Sequence, residues 1–266
     1  MANTKFGLVN LLTQAATVLK NGTGGGAPAL IETAPYAMAN LKNASRYTIW
    51  KSSSLTAATQ YNVDFNLGSA QSISAAAALG YRLASGENIS AIDVYYQTGV
   101  YAPAGTWNYL GTIVALGAAS LGGRDSGVEF GAVSASSVRF TITVGASNTV
   151  FSLGNFFVGL STDLGGIHSP EGSFQPFGNR LETTLPSGAT VLTGLGDDGA
   201  TWRIPWSFVQ SAMRATYLSV QALSGGLVLI DAEGNFFQVF LVNRAVTQTR
   251  PANALYGLDA EFKRLA

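Results

Sequence analysis

The chain has no cysteine, one histidine and very little charge. Without cysteine there is no disulfide frame, no thiolate nucleophile and no cysteine-based metal site, so stability must come from packing alone. Charged residues make up 11% of its 266 residues, against about 25% in ordinary soluble domains, and they sum to a net charge of zero. Lys and Arg are scattered singly, so the concentrated basic patch that phosphates require is missing, and nucleic acid is not expected as a partner. No apolar run approaches about 20 residues, so no membrane span is expected. No charged and then apolar leader opens the sequence, which predicts no secretory signal and synthesis in the cytoplasm of the producing cell. The single histidine, His168, sits in Gly-Gly-Ile-His-Ser-Pro, and no Gly-x-Ser-x-Gly elbow accompanies it. A loop histidine is more often hydrogen-bonded or solvated than catalytic. The only adjacent acidic pair, Asp197-Asp198, lies in Gly-Leu-Gly-Asp-Asp-Gly, where a solvated turn is commoner than a shared Ca²⁺. No catalytic residue, no metal site and no cofactor are expected.

Small residues stand where charges are missing: there are 31 glycines, and hydrophobic residues reach 47%. A surface so poor in charge is weakly protected against association. Composition therefore suits an assembly subunit or a small-residue-rich extracellular β-domain.

The pattern is that of strands. In Tyr61-Asn-Val-Asp-Phe-Asn-Leu-Gly68, Tyr61, Val63, Phe65 and Leu67 share one face, and Asn62, Asp64 and Asn66 share the other. Such alternation predicts a half-buried strand. Ile92–Gln97, Thr106–Ile113, Ser137–Val144 and Ser152–Leu160 read as further strands, rich in β-branched and aromatic residues. The Ala-rich stretch 71–83 is ambiguous between helix and strand, and we take strand. In residues 1–20, Phe6, Val9 and Leu12 fall at helical spacing, followed by a Gly-rich linker over 21–28. Residues 118–125 and 131–137 read as a loop and a turn. After Leu160 a turn-rich connector precedes strands at 189–192, 201–206, 218–223, 226–231 and 235–242, with 230–235 as a hairpin loop and a helical turn at 209–214.

The order of elements over 36–162 resembles the discoidin, or galactose-binding-like, jelly-roll family. The resemblance is carried by Trp50 before the first long strand, Asp64-Phe-Asn-Leu-Gly68, Ile92-Asp-Val-Tyr95, Trp107-x-x-Leu110, Val138-Arg-Phe140 and Leu153-Gly-Asn-Phe-Phe-Val-Gly159. The family's Asn-x-Ala-x-x-Ile segment is present only loosely, as Asn88-Ile-Ser-Ala-Ile92. Residues 180–266, with Leu229-Ile-Asp-x-x-Gly-Asn235 and a Trp-containing strand, are similar to split-barrel domains of bacteriophage distal and minor tail proteins. Together these imply an all-β chain: an N-terminal segment and linker (1–35), a discoidin-like β-sandwich (36–162), a connector (163–180) and a smaller barrel-like β domain (181–266).

The expected function is that of a structural subunit of a phage tail tip or baseplate. It would be located in the virion, form a homo-oligomeric ring with other tail and baseplate proteins, and contact host-surface glycan. The alternative is a stand-alone carbohydrate-binding module. Sugars are held by aromatic faces joined by a few planar polar groups. The candidate glycan contacts are Tyr101, Trp107, Arg124 and Asp125. Tyr47 and Trp50 are further loop-side aromatics, with core packing the favoured role for Trp50. The Trp202/Trp206 pair reads as core or interface of the second domain.

Overall fold

The computed structural model describes residues 4–14, 16–22, 32–43, 48–113, 116, 119–163, 167–168, 173–177, 180–184, 190–194, 199–210, 227–231, 233–242, 248–252 and 255–264. The chain is all-β, built from antiparallel sheets. Strands β1 (Lys5–Gly7), β2 (Val18–Gly22), β3 (Trp50–Lys51), β4 (Gln60–Leu83) and β5 (Ile89–Gln97) come first. They are followed by β6 (Asn108–Ile113), β7 (Ala119–Val144), β8 (Ser152–Leu153), β9 (Asn155–Gly159) and β10 (Ser161–Asp163). Next come β11 (Ile167–His168), β12 (Ser173–Phe177), β13 (Arg180–Thr184), β14 (Thr190–Gly194) and β15 (Gly199–Gln210). The last are β16 (Leu227–Ile230), β17 (Phe236–Leu241), β18 (Gln248–Ala252) and β19 (Leu255–Arg264).

The first sheet runs β3-β8-β4-β7-β5-β6, and β2 and β9 also pair along β4. The second runs β10-β1-β16-β17-β19-β15-β11, with β12 on β15 and β18 on β19, while β13 and β14 form a separate hairpin.

The first sheet is organised by β4 and β7, which pair along most of their length. Register shifts after Asn66, Ile73, Ala78 and Tyr81, and a left-handed Gly68 (φ 80°), let these long strands bend over their own core. The first part of β4 turns Tyr61, Val63, Phe65 and Leu67 into that core, as its alternation predicts. There Phe140 and Phe156 stack with centroids 3.9 Å apart, and Phe65 meets both edge-on at 5.9 and 6.1 Å. Trp50 is fully buried against Phe151, so its core reading holds.

The Ala-rich half of β4 is buried on both sides. Ala76 and Ala78 face the sandwich core, while Ala75, Ala77 and Leu79 pack with Phe157 against Val228, Ile230 and Phe236 of the second sheet. Glycines also keep this junction tight: a Cβ on Gly127 would stand 2.5 Å from the Phe236 ring, and one on Gly7 2.3 Å from Phe157. Asp125, with no exposed side-chain surface, accepts the backbone N–H groups of Gly80 (2.8 Å) and Gln238 (3.0 Å). The Arg264 Nε faces its carboxylate at 3.4 Å. One buried carboxylate thus ties β4, β17 and β19 together, and Lys5–Glu129 adds a part-exposed ion pair between β1 and β7.

Several expectations are corrected. The helical spacing near the N-terminus belongs to β1, a 3₁₀ turn (Leu11–Thr13) and β2, because Phe6 and Leu12 are buried while Val9 is 51% exposed. Asn21 and Gly22 of the expected linker end β2; residues 23–28 lie outside the described residues. The loop and turn expected over 118–125 and 131–137 are strand from 119 onward, within β7, because β4 supplies ladder partners that outweigh glycine's local preference. The turn-rich connector carries β10, β11 and β12. Val209 and Gln210 are in β15; the remainder of the expected helical turn, 211–214, and residues 218–223 lie outside the described residues. The hairpin loop forms as expected: Asp231 Oδ1 accepts the N–H groups of Glu233 and Asn235, and Gly234 takes φ 85°.

Candidate functional site: an aromatic loop over a polar sheet face

The polar residues of the first half of β4 do not face open water. Asn62 and Asp64 are buried, at 5% and 0% exposure. Asp64 is held by Arg139 of β7 through two parallel bonds, Nε to Oδ1 and Nη2 to Oδ2, both 2.7 Å. This fork-on-carboxylate geometry is the strong form of the ion pair. Tyr101 donates its hydroxyl to Asp64 Oδ2 at 2.9 Å. Burial, then the charge of Asp64 and this hydrogen bond, push the Tyr101 phenol well above its ordinary value, so it stays protonated and donating.

The Arg139 guanidinium is shared. Its Nη2 also donates to the Pro103 carbonyl at 2.9 Å, and its carbon lies 4.2 Å from the Trp107 ring centroid. Trp107 donates Nε1 to the same carbonyl, and Tyr101 meets the indole edge-on at 6.4 Å. Lys20 of β2 places its ammonium 4.5 Å from the Tyr101 ring centroid. Loop 98–107 is pinned by Gln97, whose amide donates to the Ala102 carbonyl and accepts from its N–H. Ser136 adds a bond to the Gly99 carbonyl. The loop is thus anchored at both ends and in the middle, leaving Tyr101 and Trp107 half-buried beside an exposed rim at 103–106.

The same sheet face continues away from the loop. In register, Lys20 lies opposite Asp64, Asp64 opposite Arg139, Arg139 opposite Tyr95, and Tyr95 opposite Tyr109. The neighbouring row is Gly22, Asn62, Thr141, Asp93 and Thr112. Thr141 donates to Asn62 Oδ1 at 2.8 Å, and Thr112 donates to Asp93. Tyr95 and Tyr109 meet edge-on at 5.6 Å, and Tyr109 is 58% exposed. A register shift between Val94 and Tyr95 turns Tyr109 and Thr112, three residues apart, onto one face, where their hydroxyls are 2.7 Å apart.

Of the four candidate glycan contacts, Tyr101 and Trp107 come together here. Arg124 and Asp125 do not join them. Both lie within β7, at the junction of the sheets, beside a solvent-open cleft lined also by Gly127, Asn235, Phe237 and Arg264. Asp125 is spent on backbone N–H groups there, whereas Arg124 is exposed. His168 pairs with Trp206 in a short strand, not in a turn. Tyr47, Asp197 and Asp198 lie outside the described residues, as do the side chains of Trp202 and Trp206. Sequence reasoning missed Arg139, Lys20, Tyr95 and Tyr109. The signal for Arg139 was present: it stands between the core residues Val138 and Phe140, and so on the face that Asp64 occupies.

Among the described residues no group of three or more His, Asp or Glu side chains is placed to hold a metal ion, and no helix is long and apolar enough to cross a membrane. No protein-family model matches the chain, and no curated protein does. Among solved structures it is similar to chitosan-binding module 2 of a Paenibacillus sp. IK-5 chitosanase/glucanase, in complex with chitotriose. That match has 22% identity over 56% of this chain and 98% of the other, with a TM-score of 0.41. It is also similar to a GH29 fucosidase of Ruminococcus gnavus (18% identity, 58% of this chain and 27% of the enzyme, TM-score 0.43). A third is CBM32-3 of a Clostridium perfringens family 31 glycoside hydrolase (16% identity, 53% and 90%, TM-score 0.37).

Proposed function

We propose that the chain is a non-catalytic glycan-binding protein that recognises sugar on the polar face of its first sheet, beside loop 98–107. One observation carries this reading: Trp107 is held half-exposed by Arg139, Pro103 and Tyr101, on the sheet face that also carries the phenol and hydroxyl groups of Tyr95, Tyr109 and Thr112. A sugar ring offers an apolar C–H surface and a rim of hydroxyls, so it needs an aromatic plane with hydrogen-bonding groups alongside. Because Trp107 is already fixed, little rotamer entropy is lost when it binds. The test is a glycan array with the purified chain. Wild type binds a subset of glycans and Trp107→Ala loses that signal; a wild type that binds none overturns the reading.

A second reading makes the chain a structural subunit of a phage tail tip or baseplate, forming a ring within the virion. It is favoured by an apolar groove lined by Leu8, Val9, Leu11 and Leu160, where Val9 and Leu160 are 51% and 44% exposed. A ring would multiply a weak sugar affinity into firm adhesion. Light scattering over a concentration series decides: a ring-sized species supports it, and a monomer at high concentration removes it. In both readings we take 36–162, with β2 paired to β4, as the recognition unit and 181–266 as the second unit, whose sheet also takes in β1, β11 and β12.

A further inference from the structure

We infer that this face takes an extended, uncharged glycan chain laid across the strands, rather than one terminal sugar at the loop. The inference rests on the glycan-binding reading and specifies its ligand. The row Lys20, Asp64, Arg139, Tyr95 and Tyr109 crosses five adjacent strands as paired positions, with Asp64 and Arg139 buried beneath Tyr101 and Trp107. With adjacent strands about 4.8 Å apart, four steps span about 19 Å, room for several linked pyranose rings. The aromatic groups are spread along this line: Tyr101 and Trp107 over β4 and β7, Tyr95 on β5, and Tyr109 at the edge on β6. A pocket for a single sugar gathers its aromatic groups around one point, whereas these are strung out.

Asn62 and Thr141 are buried beneath this line and bonded to each other, so the polar groups beside the aromatic ones are Asp93 and Thr112, half-buried on β5 and β6. Along this face the positive Lys20 and Arg139 are matched by the negative Asp64 and Asp93, and Asp64 is consumed by Arg139. The face therefore offers an acidic glycan no net attraction, and hydroxyl-rich neutral chains suit the accessible Tyr95, Tyr109 and Thr112.

The experiment is calorimetric titration of the full chain with monosaccharide to hexasaccharide series of neutral linear glucan, mannan, xylan and N-acetylglucosamine oligomers. The expected result is affinity that rises about tenfold or more from monomer to tetramer and then levels off. Tyr109→Ala, at an exposed edge position, flattens the rise with chain length, and Trp107→Ala weakens every length. Monomer and hexamer of equal affinity, or a Tyr109→Ala protein that keeps the full rise, overturns the extended site and leaves the glycan reading standing. Absence of binding across all series, together with a blank array, overturns both.

Discussion

The two halves of β4 solve the problem of a doubly covered strand in opposite ways. Over Tyr61–Leu67 one face is aromatic and aliphatic, while the other is polar and buried under Arg139, Tyr101 and β2. Over Ala75–Leu79 both faces are apolar, and the side chains shrink to alanine because two layers close on them. The first half holds buried polar groups that fix Arg139 and Tyr101, and through them the half-exposed Trp107. The second excludes every polar group and serves only to join the sheets. The scarcity of charge is thus partly internal: a good share of the small apolar residues lies between layers and not on an associating surface.

The comparison breaks most sharply at Arg139. Replacement by alanine leaves Asp64 as a fully buried, uncompensated carboxylate and is expected to cost about 3–5 kcal/mol in denaturant unfolding. The pair Asp64→Leu with Arg139→Met should recover most of that loss, since an apolar isostere of a buried ion pair is nearly neutral. Glycan binding should stay lost in the double variant, because Trp107 no longer has its guanidinium support. Recovery of both would detach the network from recognition.

At the junction, Asp125→Ala strips the acceptor from the Gly80 and Gln238 N–H groups and should cost about 1–3 kcal/mol, with the unfolding transition broadening as the sheets uncouple. Ala77→Val tests the alanine half by crowding Phe236 and Val228, at about 1–3 kcal/mol. Neither should change glycan affinity.

The smallest effect concerns Tyr101. Its phenol is raised in the folded chain, so the unfolded chain loses that proton near pH 10 while the folded chain keeps it. Stability contributed by this group is complete below about pH 10 and falls as pH rises beyond it. Tyr101→Phe should cost about 1 kcal/mol at neutral pH and show a shallower alkaline decline in melting temperature.

Much of this was legible in the sequence. Alternation placed Tyr61, Val63, Phe65 and Leu67 in the core, and the Ala-rich stretch was rightly read as strand. What it hid was long-range pairing. Residues 119–137 look like loop and turn, because glycine, alanine and serine carry little strand preference of their own. Only β4, about fifty residues earlier in the chain, makes them a strand. The same blindness grouped Arg124 and Asp125 with the aromatic loop, from which the structure separates them. The Tyr109–Thr112 pairing depends on a register shift, which reverses the face that simple alternation assigns.

The most direct test of the sheet-face site is hydrogen–deuterium exchange of the wild-type chain, with and without the strongest ligand from the array. Protection confined to loop 98–107, β6 and β2 is the predicted result. Protection instead around Arg124, Asn235 and Arg264, with loop 98–107 unchanged, would contradict it and move recognition to the cleft between the sheets.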